Sequence, residues 1–130
     1  NGVLINLAAC FAENRGLDAV VVGFNLEEAK TFPDNSSDYL NSLNNSFSYS
    51  TRNQVKVLSG TLHLNKLEIV QALNRFDGAA KFPFHLMWSC YRSSNLHCGL
   101  CESCLRLKRA LLNGLDADQF SKLKLKIFLS

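Results

Sequence analysis

The sequence predicts an α/β fold built on a mainly parallel sheet. Three observations carry that expectation. Stretches with apolar residues at helical spacing alternate with short β-branched runs, the order of a βαβ pattern. Those runs, Ala19-Val20-Val21-Val22 and Val55-Lys56-Val57-Leu58, have the length and composition of buried strands. A cysteine-rich segment then closes the alternation. At 130 residues, the chain is long enough for one compact domain with a real core.

The elements follow in order. Residues 2–15 place Leu4, Leu7, Ala8 and Phe11 on one helical face, and Gly16 is a natural stop. Cys10 stands on that helix and reads as a buried core thiol. The first strand runs to Gly23, and a loop with short helical potential reaches Asp34. Asp34 or Asn35 is expected to cap a helix across Ser36 to Ser48, with Tyr39, Leu40, Leu43 and Phe47 facing inward. After the second strand, Asn65 is expected to cap a helix carrying Leu67, Ile69, Val70 and Leu73, ending near Asp77-Gly78. Phe84 to Trp88 is expected to be extended, and a helix with Leu105, Leu107, Ala110 and Leu111 follows the cysteines. Beyond Gly114, Leu123, Leu125 and Ile127 alternate with lysines as in an amphipathic strand. A parallel sheet of two or three strands is thin, so further strands are expected N-terminal to Asn1, which is not an initiator methionine.

Composition narrows the function classes. No apolar run approaches the ~18 residues of a membrane span, and the opening lacks a basic n-region and a cleavage site. A cytoplasmic, membrane-free protein is expected. The net charge of +3 is too mild to mark a nucleic-acid binder, and the basic residues Arg106, Lys108, Arg109, Lys122, Lys124 and Lys126 read as a solvated end.

Four of the five cysteines fall between Cys90 and Cys104. Cys98-x-x-Cys101-x-x-Cys104 puts three thiolates in one knuckle, Gly99 gives the turn its backbone freedom, and Cys90 reaches in from the preceding segment. Zinc binds four thiolates tetrahedrally, which suits this set. An iron–sulfur cluster uses the same ligands, and disulfides would need an oxidising compartment that nothing here signals. His97 reads as a neighbour of the site or a solvent-facing residue, and His63 and His85 as ordinary satisfied histidines.

Trp88-Ser89-Cys90-Tyr91 followed by Cys98-Gly99-x-Cys101-x-Ser103-Cys104-x-Arg106 resembles the zinc motif of the 7-cyano-7-deazaguanine synthases. Asn1-Gly2, Val22-Gly23-Phe24-Asn25, Phe32-Pro33-Asp34 and Lys66-x-Glu68-Ile69-Val70 resemble further pieces of that family, in its order. The resemblance runs from Asn1 to about Arg109 and has an archaeal flavour. It implies a PP-loop ATP pyrophosphatase fold, like that of the adenine nucleotide alpha hydrolases. On that reading, residues 1–87 form part of a nucleotide-binding domain, 88–113 a zinc-binding segment with its following helix, and 114–130 a tail. The family's Ser-Gly-Gly-x-Asp-Ser loop, whose amides cradle ATP phosphates, has no match in this sequence. The chain is therefore expected to be the C-terminal part of a longer enzyme, unable to hydrolyse ATP alone.

The resemblance implies ATP-dependent conversion of 7-carboxy-7-deazaguanine and ammonia to the nitrile base preQ0, in queuosine or archaeosine biosynthesis. Adenylation turns a carboxylate oxygen into a leaving group, ammonia forms the amide, and activation of the amide oxygen permits dehydration. Structural Zn²⁺, with ATP and Mg²⁺ in the complete enzyme, and a homodimer without direct nucleic-acid contact, are implied with it. Lys66 becomes the catalytic cation, against its reading as a solvated first-turn lysine. Gly23 and Asn25, at the end of a parallel strand, become ATP- or substrate-binding residues. Asp34 would hold the base's exocyclic amine or a metal unless it serves as a helix cap. Tyr91 and Arg92 would line the base pocket unless they are surface residues of the knuckle. Two other readings stand beside this one: a zinc-knuckle RNA-binding module, and another PP-loop tRNA-modifying enzyme with a catalytic cysteine outside the metal set.

Overall fold

The computed structural model describes residues 1–76, 82–92 and 97–123. The chain divides into two compact units, residues 1–65 and 66–130.

The first unit begins with helix α1 (Gly2–Asn14), and Gly16 takes positive φ (65°) just past its end. Strand β1 (Ala19–Val21) follows, then the short helix α2 (Leu26–Ala29), a 3-10 turn at Pro33–Asn35 and helix α3 (Ser37–Ser50). Strand β2 (Lys56–Leu58) pairs parallel with β1, Val20 opposite Val57. This is the expected βαβ unit, and its crossover helix α3 buries Leu40, Leu43 and Phe47 as its periodicity required. They pack with Ile5, Ala9, Ala12, Phe24, Val55 and Val57 into one core.

The helix expected over residues 2–15 forms, and two expectations need correction in this unit, the burial of Cys10 and the cap of α3. Helix α1 turns Ile5, Ala9 and Ala12 inward, while Leu4, Leu7 and Phe11 are more than half exposed. The helix is apolar on two sides, and the side with the small alanines is the one that packs against β1. Cys10 consequently lies on the surface instead of in the core. The cap of α3 is neither Asp34 nor Asn35, which belong to the 3-10 turn, but Ser36, whose Oγ accepts from Tyr39 N–H at 3.2 Å.

The second unit contains helices α4 (Lys66–Arg75), α5 (Glu102–Gly114) and α6 (Ala117–Lys122). Helix α4 lies against α5, and Val70, Phe84, Leu107, Ala110, Leu111 and Leu115 form the core. The approach is close at Gly114, where a Cβ would stand 2.6 Å from Val70 Cγ1. Phe84–Leu86 is a 3-10 turn following Pro83 and not an extended segment. Leu86 N–H donates to the Pro83 carbonyl at 2.9 Å and Met87 N–H to that of Phe84 at 3.1 Å, the local bonds of a turn, and the buried Phe84 ring lies 4.9 Å from that of Phe82. Helix α6 carries a capping box between Asp116 and Gln119. The alternation expected from Leu125 and Ile127, and the helix end at Asp77-Gly78, fall outside the described residues. Among the described residues no helix is long and apolar enough to cross a membrane.

Candidate metal centre

Helix α5 organises the cysteine cluster. Cys101 occupies its N-cap position and Cys104 its first turn, so both thiols sit at the positive end of the helix dipole. Before them Gly99 takes φ 68°, a left-handed conformation that reverses the chain between Cys98 and Cys101 at no Cβ cost. The reversal brings Cys101 N–H to Cys98 Sγ at 3.3 Å, and Cys98 N–H to Cys90 Sγ at 3.4 Å. All four Sγ atoms lie within 4.8 Å of one another, and Cys98 and Cys104 are 4.0 Å apart. A regular tetrahedron of ~2.3 Å zinc–sulfur bonds has edges of ~3.8 Å, so this sulfur set fits one such ion with only a small contraction.

The same geometry sets the thiol acidities. The N–H groups of Tyr91 and Cys104 stabilise the Cys101 thiolate and lower its pKa to about 6. Those of Leu100 and Cys101 lower that of Cys98. Burial acts the other way on Cys104 and pushes it up to about 12.

The supports around the cluster come from residues whose roles the sequence did not disclose. Ser89 and Ser103 hydroxyls meet at 2.6 Å, and Ser89 Oγ also donates to the Ser103 carbonyl at 3.2 Å. Each serine immediately precedes a ligand cysteine, which was the available signal. Trp88 Nε1 donates to the Cys90 carbonyl at 3.1 Å. His97 stacks against Trp88 at 4.4 Å between ring centroids. Its Nε2 donates to the Met87 carbonyl at 3.2 Å, leaving Nδ1 facing Cys104 Sγ at 3.6 Å. His97 therefore lies beside the site. Arg106 is engaged by Glu102 at 2.9 Å.

Of the other singled-out residues, Tyr91 and Arg92 are exposed beside Cys90, and Lys66 opens α4, half-buried. Gly23 and Asn25 follow β1 in the first unit, where the Phe24 carbonyl accepts from Ser59 and Thr61 hydroxyls and ties the two strand ends together. Asn25 is buried and its Oδ1 caps α2 by accepting from Glu28 N–H at 3.1 Å. Asp34 Oδ2 accepts from Asn1 Nδ2 at 3.0 Å, and Asp34 Oδ1 accepts from Asn35 Nδ2 at 3.4 Å. His63 and His85 are exposed.

Comparison with known proteins sets this geometry in context. A family described as "Queuosine biosynthesis protein QueC" matches residues 1–114. A 7-cyano-7-deazaguanine synthase of Methanosarcina mazei is 51% identical over 113 residues, 87% of this chain and 47% of the relative. Those of Desulforudis audaxviator (48% identical, 85% of this chain, 48% of the relative) and Desulforamulus reducens (51% identical, 92% of this chain, 51% of the relative) are similar to it as well. The chain thus spans about half the length of the curated relatives it matches. No solved structure matches at the same stringency.

Proposed function

The chain belongs to the QueC family, and from that premise we propose that it is the zinc-bearing half of a 7-cyano-7-deazaguanine synthase. The observation that carries the proposal is the four-sulfur cluster, which lies wholly inside the stretch that the family matches. The reaction is ATP-dependent conversion of 7-carboxy-7-deazaguanine and ammonia to the nitrile.

Cys90, Cys98, Cys101 and Cys104 would hold the zinc. With four thiolates there is no open position for water, so the ion supplies a structural crosslink between the Cys90 segment and the start of α5. Tyr91 and Arg92 then project from a pinned segment. In the proposal their ring and guanidinium form one wall for the planar base, by stacking and hydrogen bonding. Lys66 supplies positive charge for phosphate or the acyl-adenylate. Gly23 and Asn25 sit at the carboxyl end of a parallel strand, where ligands bind in open α/β sheets. Because Asn25 Oδ1 is committed to capping α2, its Nδ2 is the atom offered to a ligand. ATP and Mg²⁺ are co-substrates of the proposed reaction, and their phosphate loop has no counterpart in this sequence.

The test is turnover by this chain carried in a polypeptide of the relatives' length. It is supplied with 7-carboxy-7-deazaguanine, ammonium, ATP and Mg²⁺, and products are read by mass spectrometry. ATP-dependent appearance of the nitrile supports the proposal. A folded, zinc-loaded protein that leaves the carboxylate untouched overturns it.

A further inference from the structure

The four sulfurs of the cluster are not equivalent. Cys98 and Cys101 are partly open to solvent, whereas Cys90 is 7% exposed and Cys104 is fully buried. Cys101 and Cys104 also stand in a particular relation to helix α5. Cys101 is its N-cap residue and Cys104 lies in its first turn, three positions on, so their side chains leave the same side of the helix start.

That is the layout of a redox-active dithiol, an accessible sulfur at a helix N-terminus with a second one close by. The accessible sulfur meets the oxidant, and the helix dipole favours its anionic, nucleophilic form. Displacement at an oxidised sulfur runs in line, so the leaving group departs opposite to the attacking thiol. With the leaving group in solvent, the attack must come from the protein side, and buried Cys104 is on that side. All the sulfurs lie within 4.8 Å of one another, a gap that side-chain rotation can close towards the ~2 Å of a disulfide. Cys98 Sγ, 4.0 Å from Cys104 Sγ, is the competing partner, and the helix terminus is what singles out Cys101.

We propose that Cys101 and Cys104 form a redox couple inside the metal centre, which a hydroperoxide closes into a disulfide, and that closure releases the zinc. The Cys101 sulfur attacks the O–O bond, which breaks, leaving a sulfenic acid on Cys101 and an alcohol in solution (water where the oxidant is hydrogen peroxide). The Cys104 sulfur then attacks the Cys101 sulfur. The S–S bond forms, the S–O bond breaks, and the hydroxide leaves as water with the Cys104 proton. Two thiols have lost two electrons, which the hydroperoxide has taken up. Starting from the zinc thiolates, solvent supplies the two protons. The disulfide withdraws two of the four donors, and the two remaining thiolates do not complete a tetrahedral site. The inference rests on the metal site and not on the reaction proposed above.

The zinc-loaded native protein is titrated with hydrogen peroxide beside a chromogenic zinc chelator, after elemental analysis has established that zinc is the metal. Cleavage after Arg92, Leu100 and Glu102 then puts the four cysteines of the site on separate peptides, so mass spectrometry reads the linked pair directly. One zinc is expected to leave for each disulfide formed, with the link joining Cys101 to Cys104. Release should precede oxidation of Cys10, which is exposed but sits within α1 and at no helix N-terminus. Dithiothreitol with added zinc should restore the loaded protein, and peroxide should give the same link in the metal-free protein. Zinc loss accompanied by sulfinic or sulfonic acids in place of a disulfide overturns the proposal. So does a link made by Cys98 or Cys90, or zinc that stays bound once Cys10 is oxidised.

Discussion

Ser89 and Ser103 share a 2.6 Å hydrogen bond that joins the residue before Cys90 to the residue before Cys104. The bond fixes the separation of two ligands 14 residues apart without touching either sulfur. Ser103 is buried, and removing its hydroxyl takes away the shorter of the two bonds joining these segments, leaving Ser89 Oγ only its 3.2 Å donation to the Ser103 carbonyl.

Ser103→Ala is therefore expected to keep the helical content while weakening metal retention by about tenfold, the scale of outer-shell contacts at metal sites. Timed zinc transfer to a chromogenic chelator measures it. An unchanged transfer rate would mean that the sulfurs position themselves.

One zinc per chain is expected by elemental analysis of the native protein. Cys104→Ser should lose it and with it the protected amides of α5, whereas Cys10→Ser, on the surface of α1, should lose neither. Iron and labile sulfide in equal amount would identify a cluster in place of zinc.

Zinc affinity is expected to rise with pH, because protons compete for the thiolates. Cys104, pushed up to about 12, keeps its proton across the working range and contributes about one decade of affinity per pH unit. Cys101, lowered to about 6, is already a thiolate above that value and adds a further dependence only below it. A plot of log affinity against pH should thus steepen as pH falls through about 6. Competition titrations between pH 5 and 8 read the slope, and a line that flattens in that direction would contradict the assignment.

Asn44→Ala is expected to destabilise the first unit by about 1–3 kcal/mol, since it leaves the N–H and C=O of fully buried Val57 unpaired. Urea unfolding, read by the loss of α3, gives the value. Asn44→Asp keeps the acceptor for Val57 N–H but places an anion against the Val57 carbonyl, so it should not rescue.

What could be read from sequence was local. The spacing of Cys98, Cys101 and Cys104 depends on one turn and one glycine, and the βαβ order depends on two β-branched runs around an amphipathic helix. Each is settled within a few residues, so periodicity and turn chemistry were enough. The family resemblance rested on the same local words.

Only the tertiary structure chose between faces and partners. Helix α1 offers two apolar sides, and the larger residues Leu4, Leu7 and Phe11 dominate any periodic reading of it. The sheet selected the face of Ile5, Ala9 and Ala12, where the two small alanines let the helix pack against β1. Asn44 sits in a helix pattern like any polar surface residue, and its bond to Val57 spans 13 positions. Ser89 and Ser103 likewise become partners only once Gly99 has turned the chain. The sequence by itself determined the two strands, the helices α1, α3, α4 and α5 and which sulfurs converge, because those depend on short-range backbone preferences. Packing decided which face is buried, which side chain bonds Val57 and what braces the metal centre, because those depend on contacts between residues far apart in the chain.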